Sequence, residues 1–201
     1  MKGKVITNIT PQQKIVAVNN KFGNTNIKNQ QGTTRVLFDS LPIAGQTSYR
    51  FFETASSRQY PLTNVGAEGN RLNVGETFVV QKIYFGLITV DPDTGAFGTF
   101  QPLPMLAPNS FFKGEFSFQI ANSIVLKQLP IEMFQDNTLN PTSNNNLDVA
   151  FGTFTDIVIP PLLEYVLTVR TAQAGIDPTN SVRLACFIEG TAGILAPQTT
   201  F

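Results

Sequence analysis

No histidine and no tryptophan occur among the 201 residues, and there is a single cysteine, Cys186. Without histidine there is no Ser-His-Asp or Cys-His nucleophile arrangement, and the commonest general base working near neutral pH is missing. One thiol and no imidazole cannot supply the four nitrogen and sulfur ligands of a structural zinc site. Nor can an intrachain disulfide form, so nothing in the chain calls for an oxidising compartment. Cys186 sits in the apolar string LACFI at 184–188, where a small buried hydrophobe is expected and a reactive thiol is not.

Charge is also scarce. Charged residues make up 14% of the chain, against roughly 25% in an average soluble domain. The polar surface falls instead to 22 threonines and 17 asparagines, residues of strands and turns respectively. A surface so poor in ionised groups suits a protein covered by neighbours, because a free monomer is usually kept soluble by more of them. Long apolar runs are missing too. The longest, at 78–90, is broken by Gln81 and Lys82 and falls short of the ~18 residues that a membrane helix needs. The first ten residues contain two lysines but no apolar stretch of ~7–15 residues, so no secretory leader and no membrane partner are expected.

The 14 cations and 14 carboxylates cancel, yet they are not mixed. Residues 1–38 hold Lys2, Lys4, Lys14, Lys21, Lys28 and Arg35 and no acidic side chain; Asp39 is the first carboxylate. The remainder therefore carries eight cations against all 14 carboxylates, an acidic body behind a basic segment. Between the lysines lie asparagines and glutamines, with short apolar pieces only at 5–9 and 15–18. We read residues 1–34 as an extended basic arm and 35–201 as the folded body. Six charges over ~38 residues are thin beside the dense basic tracts that neutralise phosphates, so nucleic acid is not the expected partner. A solvated tail is the plain alternative, since termini are commonly loose, but docking on the acidic body of a neighbouring copy is favoured because it uses both the charge split and the apolar pieces, which alternate like edge strands. The arm residues assigned to assembly are Lys2, Lys4, Lys14, Lys21, Lys28 and Arg35.

From Thr34 onward the pattern is that of strands. A short one at 35–38 is stopped by Asp-Ser-Leu-Pro, and 47–54 carries Tyr49, Phe51 and Phe52. The segment 76–90 is nearly continuous in β-branched and aromatic residues, as in a strand buried on both faces. DPDTG at 91–95 then turns the chain into a hairpin partner at 96–100. In 111–126, Phe112, Phe116, Phe118 and Ile120 alternate with Lys113, Glu115, Ser117 and Gln119, the register of one half-exposed strand. A polar loop at 136–146 precedes strands at 157–159, 163–171 and 181–189. No stretch of 12 residues or more shows capped helical periodicity. The body is expected to be all-β, with roughly eight strands in a two-sheet sandwich, and the uneven loops favour a jelly roll over an up-and-down barrel.

Candidate chemistry is thin. Asp91 and Asp93 are the only close carboxylate pair, and Pro102 stands where a calcium loop needs its bidentate Glu, so a turn is the better reading. A glycosidase needs two carboxylates across a cleft, and there is no tryptophan to stack a sugar. No Ser-x-x-Lys string and no phosphate loop occurs around Gly86, Gly95 or Gly98. Tyr84 and Phe85 beside Lys82 could suggest base stacking, but phenylalanines at strand positions belong to a core and the acidic body repels phosphate. The string AFGTF recurs at 96–100 and 150–154 between flanks that do not align, which points to similar strand starts and not to duplication. Catalytic, cofactor-binding and metal-ligating residues are therefore expected to be none, and the protein is not expected to be an enzyme.

Three stretches carry a resemblance: SYRFFE at 48–53 with RQYPLTN at 58–64, RLNVGETF at 71–78 with IYF at 83–85, and IPP at 159–161 with SVRL at 181–184. They resemble small structural proteins in the virions of tailed bacteriophages infecting Bacteroidota, the crAss-like group and its relatives. The resemblance implies a capsid-associated virion protein with a jelly-roll body, self-assembly as its activity, and other copies or the major capsid protein as partners. Made in the host cytoplasm, such a protein resides in the virion. The alternative is a carbohydrate-binding adhesin or a head or tail fibre module, using Asn and Asp side chains of loops such as 136–146 on sugar hydroxyls.

Overall fold

The structure is a computed structural model. It describes residues 10, 13, 15, 17, 30–53, 62–65, 70–91, 94, 96–102, 113–131, 151–177, 179 and 181–195. Nine strands follow in chain order: β1 (Gln30–Pro42), β2 (Ser48–Phe51), β3 (Thr77–Val90), β4 (Phe97–Pro102), β5 (Gly114–Ile120), β6 (Ser123–Pro130), β7 (Phe151–Ile159), β8 (Tyr165–Thr171) and β9 (Val182–Leu195). They form two antiparallel sheets. One runs β1-β9-β3, with β4 and β7 sharing the far edge of β3; the other runs β2-β8-β5-β6.

The pairing is nested. β5 pairs with β6, β3 with β7, β2 with β8 and β1 with β9, and successive pairs fall in alternate sheets. A long antiparallel hairpin rolled up so that its pairs alternate between two sheets is a jelly roll, which agrees with the architecture expected from the uneven loops. β4 stands outside the nest as a hairpin return from β3. It meets β3 at Gly86–Val90 while β7 meets it at Phe78–Ile83, so the two AFGTF strings open strands that lie end to end along one edge.

Period-two alternation builds the core. Leu37, Asp39 and Leu41 of β1 stand in register with Ile188, Cys186 and Leu184 of β9, and these with Ile83, Phe85 and Leu87 of β3. Opposite them the second sheet contributes Tyr49, Phe51, Phe116, Phe118, Leu167 and Val169, all buried. Aromatic contacts tie the layers together: Phe85 packs on Phe51 at 6.2 Å and on Phe116 at 5.6 Å between ring centroids. The near-continuous apolar character of β3 has a specific cause. A bulge between Val80 and Lys82 shifts the phase, so Phe78 and Val80 face inward before it and Ile83 and Phe85 after it. Val79 and Ile88 are buried outside that core cluster, while Gln81 and Lys82 are exposed.

Three expectations need correction. The strand at 35–38 does not stop at Asp39; β1 continues to Pro42, because the Asp39 carboxylate is satisfied internally. The single strand read over 111–126 is a hairpin, β5 and β6, turning at Ala121-Asn122 with Ala121 in the left-handed region at φ 49°. Alternation on β5 hid the turn, since Ala121 is not a residue that marks one. Finally, β1 begins at Gln30, so residues 30–34, counted with the arm, pair with β9.

Candidate functional site

Of the six assembly residues, Lys2, Lys4, Lys14, Lys21 and Lys28 lie outside the described residues, as does the loop at 136–146. Arg35 is described, and it belongs to the body. It sits in β1, and its guanidinium donates to Glu76 Oε2 at 3.1 Å. Burial by itself would raise the Glu76 carboxyl, but the Arg35 guanidinium and the Asn73 side chain and amide outweigh it and hold the group below the usual range. A carboxyl depressed in the folded state stabilises the fold above its unfolded value, and that contribution is lost as pH falls through the folded value. Glu76→Gln is therefore expected to cost about 0.5–1 kcal/mol near neutrality. The gap between variant and parent in denaturant midpoint should shrink as pH falls below the ordinary 4.5. A gap unchanged at low pH would assign the loss to packing and not to charge.

Before β1 the described residues include Ile15, which meets the body. Gln13, Ile15 and Ala17 are helical, where alternation suggested an edge strand. The signal for this is Thr10 with Gln13 three residues on: the Thr10 amide donates to Gln13 Oε1 at 3.0 Å and the Gln13 amide to Thr10 Oγ1 at 3.3 Å, a reciprocal capping box. Ile15 is buried, and it packs over Gly193 of β9, where a methyl group would come within 2.7 Å of it.

The free edges of the sandwich are managed in different ways. Along β1, the Asn64 side chain imitates a strand: its Oδ1 accepts from the Phe38 amide at 2.8 Å and its Nδ2 donates to the Val36 carbonyl at 2.6 Å. β6 closes the other sheet and pairs with β5 alone among the described residues, but bulges and Lys127 blunt it. Across the outside of the first sheet runs a stack of Phe38, Phe187 and Tyr84, with centroids 5.8 and 4.9 Å apart. All three rings are half-buried, which suits a cross-strand ladder stabilising the sheet.

The two ends of the sandwich differ. At the end where β3 starts and β7 finishes, Val74 is 68% and Leu162 57% exposed, and the Leu162 amide donates to the Leu72 carbonyl at 2.9 Å. Leu162 holds a φ of 63°, an outlier for a bulky side chain. Ile15 lies at this end too, since its neighbour Gly193 pairs with Thr77. At the opposite end, where β9 begins, Ile176 is 92% exposed beside Asp177. Asp177 accepts from the amides of Thr179 and Val182. Asp91 is close by, because the Val90 amide donates to Ser181. Its own carboxylate accepts from the Thr94 amide at 3.2 Å, as a turn residue does.

The chain is structurally similar to VP17, a capsid protein of bacteriophage P23-77. The two share 15% identity over 80% of this chain and 76% of that one, with a TM-score of 0.27. A score of this size does not establish a shared topology. No family model and no curated protein matches the sequence.

Two buried groups carry reactive chemistry in principle. Cys186 is fully buried, and burial, reinforced by the nearby Asp39 charge, pushes its thiol far above the ordinary range, which suits a packing residue and not a nucleophile. Asp39 is the polar residue that strand patterning missed. Its side chain is fully buried and accepts from the Ser40 amide at 2.9 Å and the Phe52 amide at 2.7 Å. Phe52 has a φ of 70°, so the aspartate fixes a strained turn after β2. This is a structural task. Among the described residues no group of three or more His, Cys, Asp or Glu side chains could hold a metal ion.

Proposed function

We propose that this protein is a non-enzymatic structural component of a bacteriophage virion, an auxiliary or minor capsid protein of the crAss-like group or its relatives. The observation that carries the reading is the combination of a jelly-roll block with a charge-segregated basic arm that packs back onto the outside of that block at Ile15. A rigid sandwich supplies the repeating unit. The arm supplies cations that an acidic body with eight basic and 14 acidic side chains attracts. Lys2, Lys4, Lys14, Lys21 and Lys28 serve this contact between copies, whereas Arg35 is engaged with Glu76 inside its own body. The low overall charge fits a surface that assembly covers.

Electron microscopy of purified particles, with this chain located by labelling, tests the assignment; absence of the chain from every particle would overturn it. The arm has its own test. Because β1 starts at Gln30, the informative truncation removes residues 1–29. The shortened body should remain folded, with a small loss of Tm from uncovering Gly193, and its self-association should weaken. Unchanged association would remove the arm from the mechanism.

A further inference from the structure

We infer that two copies of this chain join edge to edge through β1, with residues 30–36 of one strand pairing antiparallel with the same residues of the other around Thr33. The inference rests on the assembly reading above and names an edge through which copies meet. β1 is an outer strand of its sheet, and its register with β9 runs without a bulge through all 13 residues. Its outward side is therefore a regular row of backbone donors and acceptors.

Phe38 shows which residues form that row. Its amide donates to Asn64 Oδ1 and its carbonyl accepts from the Asn64 amide at 3.2 Å, both directed away from β9. Val36 turns its carbonyl the same way, to Asn64 Nδ2. Period two carries the row on to Thr34, Gly32 and Gln30. There the cover ends: among the described residues, segment 62–65 bonds to β1 only from Val36 to Ser40, and no strand pairs with this side of β1. The Thr33 hydroxyl donates to the Thr34 carbonyl at 3.3 Å, which leaves that oxygen a second lone pair. Ile15 touches Gly193 and stays clear of Gly32, where a Cβ would meet nothing within 4 Å. Both edges of the second sheet are poorer templates, since β6 is bulged, carries Lys127 and ends in Pro130, and β2 has four residues. Residues 30–36 have no such guard: no proline, no lysine and no bulge.

An open strand edge recognises another extended strand, because a strand matches its row of amides and carbonyls. The same edge of a second copy is such a strand, and two identical strands pair antiparallel across a two-fold axis, residue i opposite j and j opposite i. The Asn64 cover restricts the register. Centred on Thr33, the pairing sets Gly32 against the partner's Thr34 and Gln30 against the partner's Val36, so it fills the open segment and stops where Asn64 begins. Charge permits this approach. Arg35 is the one ionised side chain of the segment; it is bonded to Glu76 and stands across from the partner's Gln31. Moving the centre to Arg35 would oppose two guanidinium groups and drive each edge into the other's Asn64.

Cross-linking of the full-length chain reads the register. The two Thr33 positions would form a non-hydrogen-bonded pair with Cα atoms about 4.5 Å apart, within disulfide reach. Thr33→Cys, treated with oxidised glutathione, should therefore give a covalent dimer on a non-reducing gel, and Thr34→Cys far less; the native Cys186 is buried and does not compete. Thr34→Pro supplies a second measurement. Proline there removes an outward amide and no bond to β9, so Tm should stay near the parent's while the dimer Kd from sedimentation velocity rises at least about tenfold. Thr33→Pro removes an amide that faces β9 and should lower Tm instead. The cysteine variants keep every backbone donor, so their readout does not depend on how well the strand takes proline. A parent that stays monomeric and yields no Thr33→Cys cross-link, or a Thr34→Pro dimer of parental strength, would overturn the inference. Association weakened by Thr34→Pro without a Thr33→Cys cross-link would give the edge to a different strand and overturn the two-fold pairing. Each of these results leaves the virion assignment standing, since particle labelling decides that separately.

Discussion

Asp39→Ala should be among the most destabilising single changes in the molecule, lowering the free energy of unfolding by about 3–4 kcal/mol. The side chain is completely buried on the inner face of β1, in register with Cys186. Its oxygens accept the amides of Ser40 and Phe52. Truncation leaves both amides without these acceptors inside the sandwich, and it removes what holds Phe52 at a φ of 70°. Asp39→Asn separates the two effects. One amide oxygen can still accept, but the nitrogen that replaces the other oxygen cannot, so a cost of about 2 kcal/mol is expected. Denaturant midpoints measured by tryptophan-independent far-UV circular dichroism would provide both values. An alanine variant within 1 kcal/mol of the parent would show that the carboxylate contributes nothing net to the fold.

Gly190→Ala should cost at least about 3 kcal/mol, although it adds a single carbon to a residue in a strand. A Cβ there would lie 1.9 Å from the Val79 carbonyl oxygen, 2.9 Å from its carbon and 3.0 Å from Phe78 Cζ. The obstacle is backbone of the central strand, beside the bulge that resets the phase of β3, and it cannot swing away as a side chain would. Two other glycines serve as controls. Gly193→Ala meets only the Ile15 side chain, at 2.7 Å, and should loosen the arm at small cost, while Gly32→Ala meets nothing within 4 Å and should be neutral. The expected order of Tm is therefore Gly32→Ala, then Gly193→Ala, then Gly190→Ala far below. Equal Tm values for the first and last would mean that β3 shifts freely at its bulge.

The strand content of the body was legible because β-branched and aromatic residues alternate with polar ones, and both sheets obey that period. Where it was not legible, a local device had replaced the usual signal. Ala121 makes a turn without glycine; Asp39 sits in a core position normally held by an apolar residue; Gln13, Ile15 and Ala17 are helical behind a Thr10–Gln13 capping box. Arg35 illustrates a different limit. Its charge belongs to the basic segment in sequence, yet Glu76, 41 positions away, becomes its partner only in the fold. The exposed apolar side chains at the two ends were the least legible part. Val74, Leu162 and Ile176 are three unremarked apolar residues in loops, and nothing in their spacing reveals which of them share an end.

By itself the sequence determined the class: no histidine and one cysteine leave no histidine-based nucleophile arrangement and no four-ligand zinc site, and period-two patterning with turn-rich loops dictates a β-sandwich, because these properties are local or additive along the chain. Tertiary structure alone decided the nested strand order, the phase shift in β3, the burial of Asp39 and the placement of Ile176 and Leu162 at opposite ends. Those depend on which distant segments meet, and pairings between β1 and β9 or β2 and β8 leave no mark in the composition of either strand.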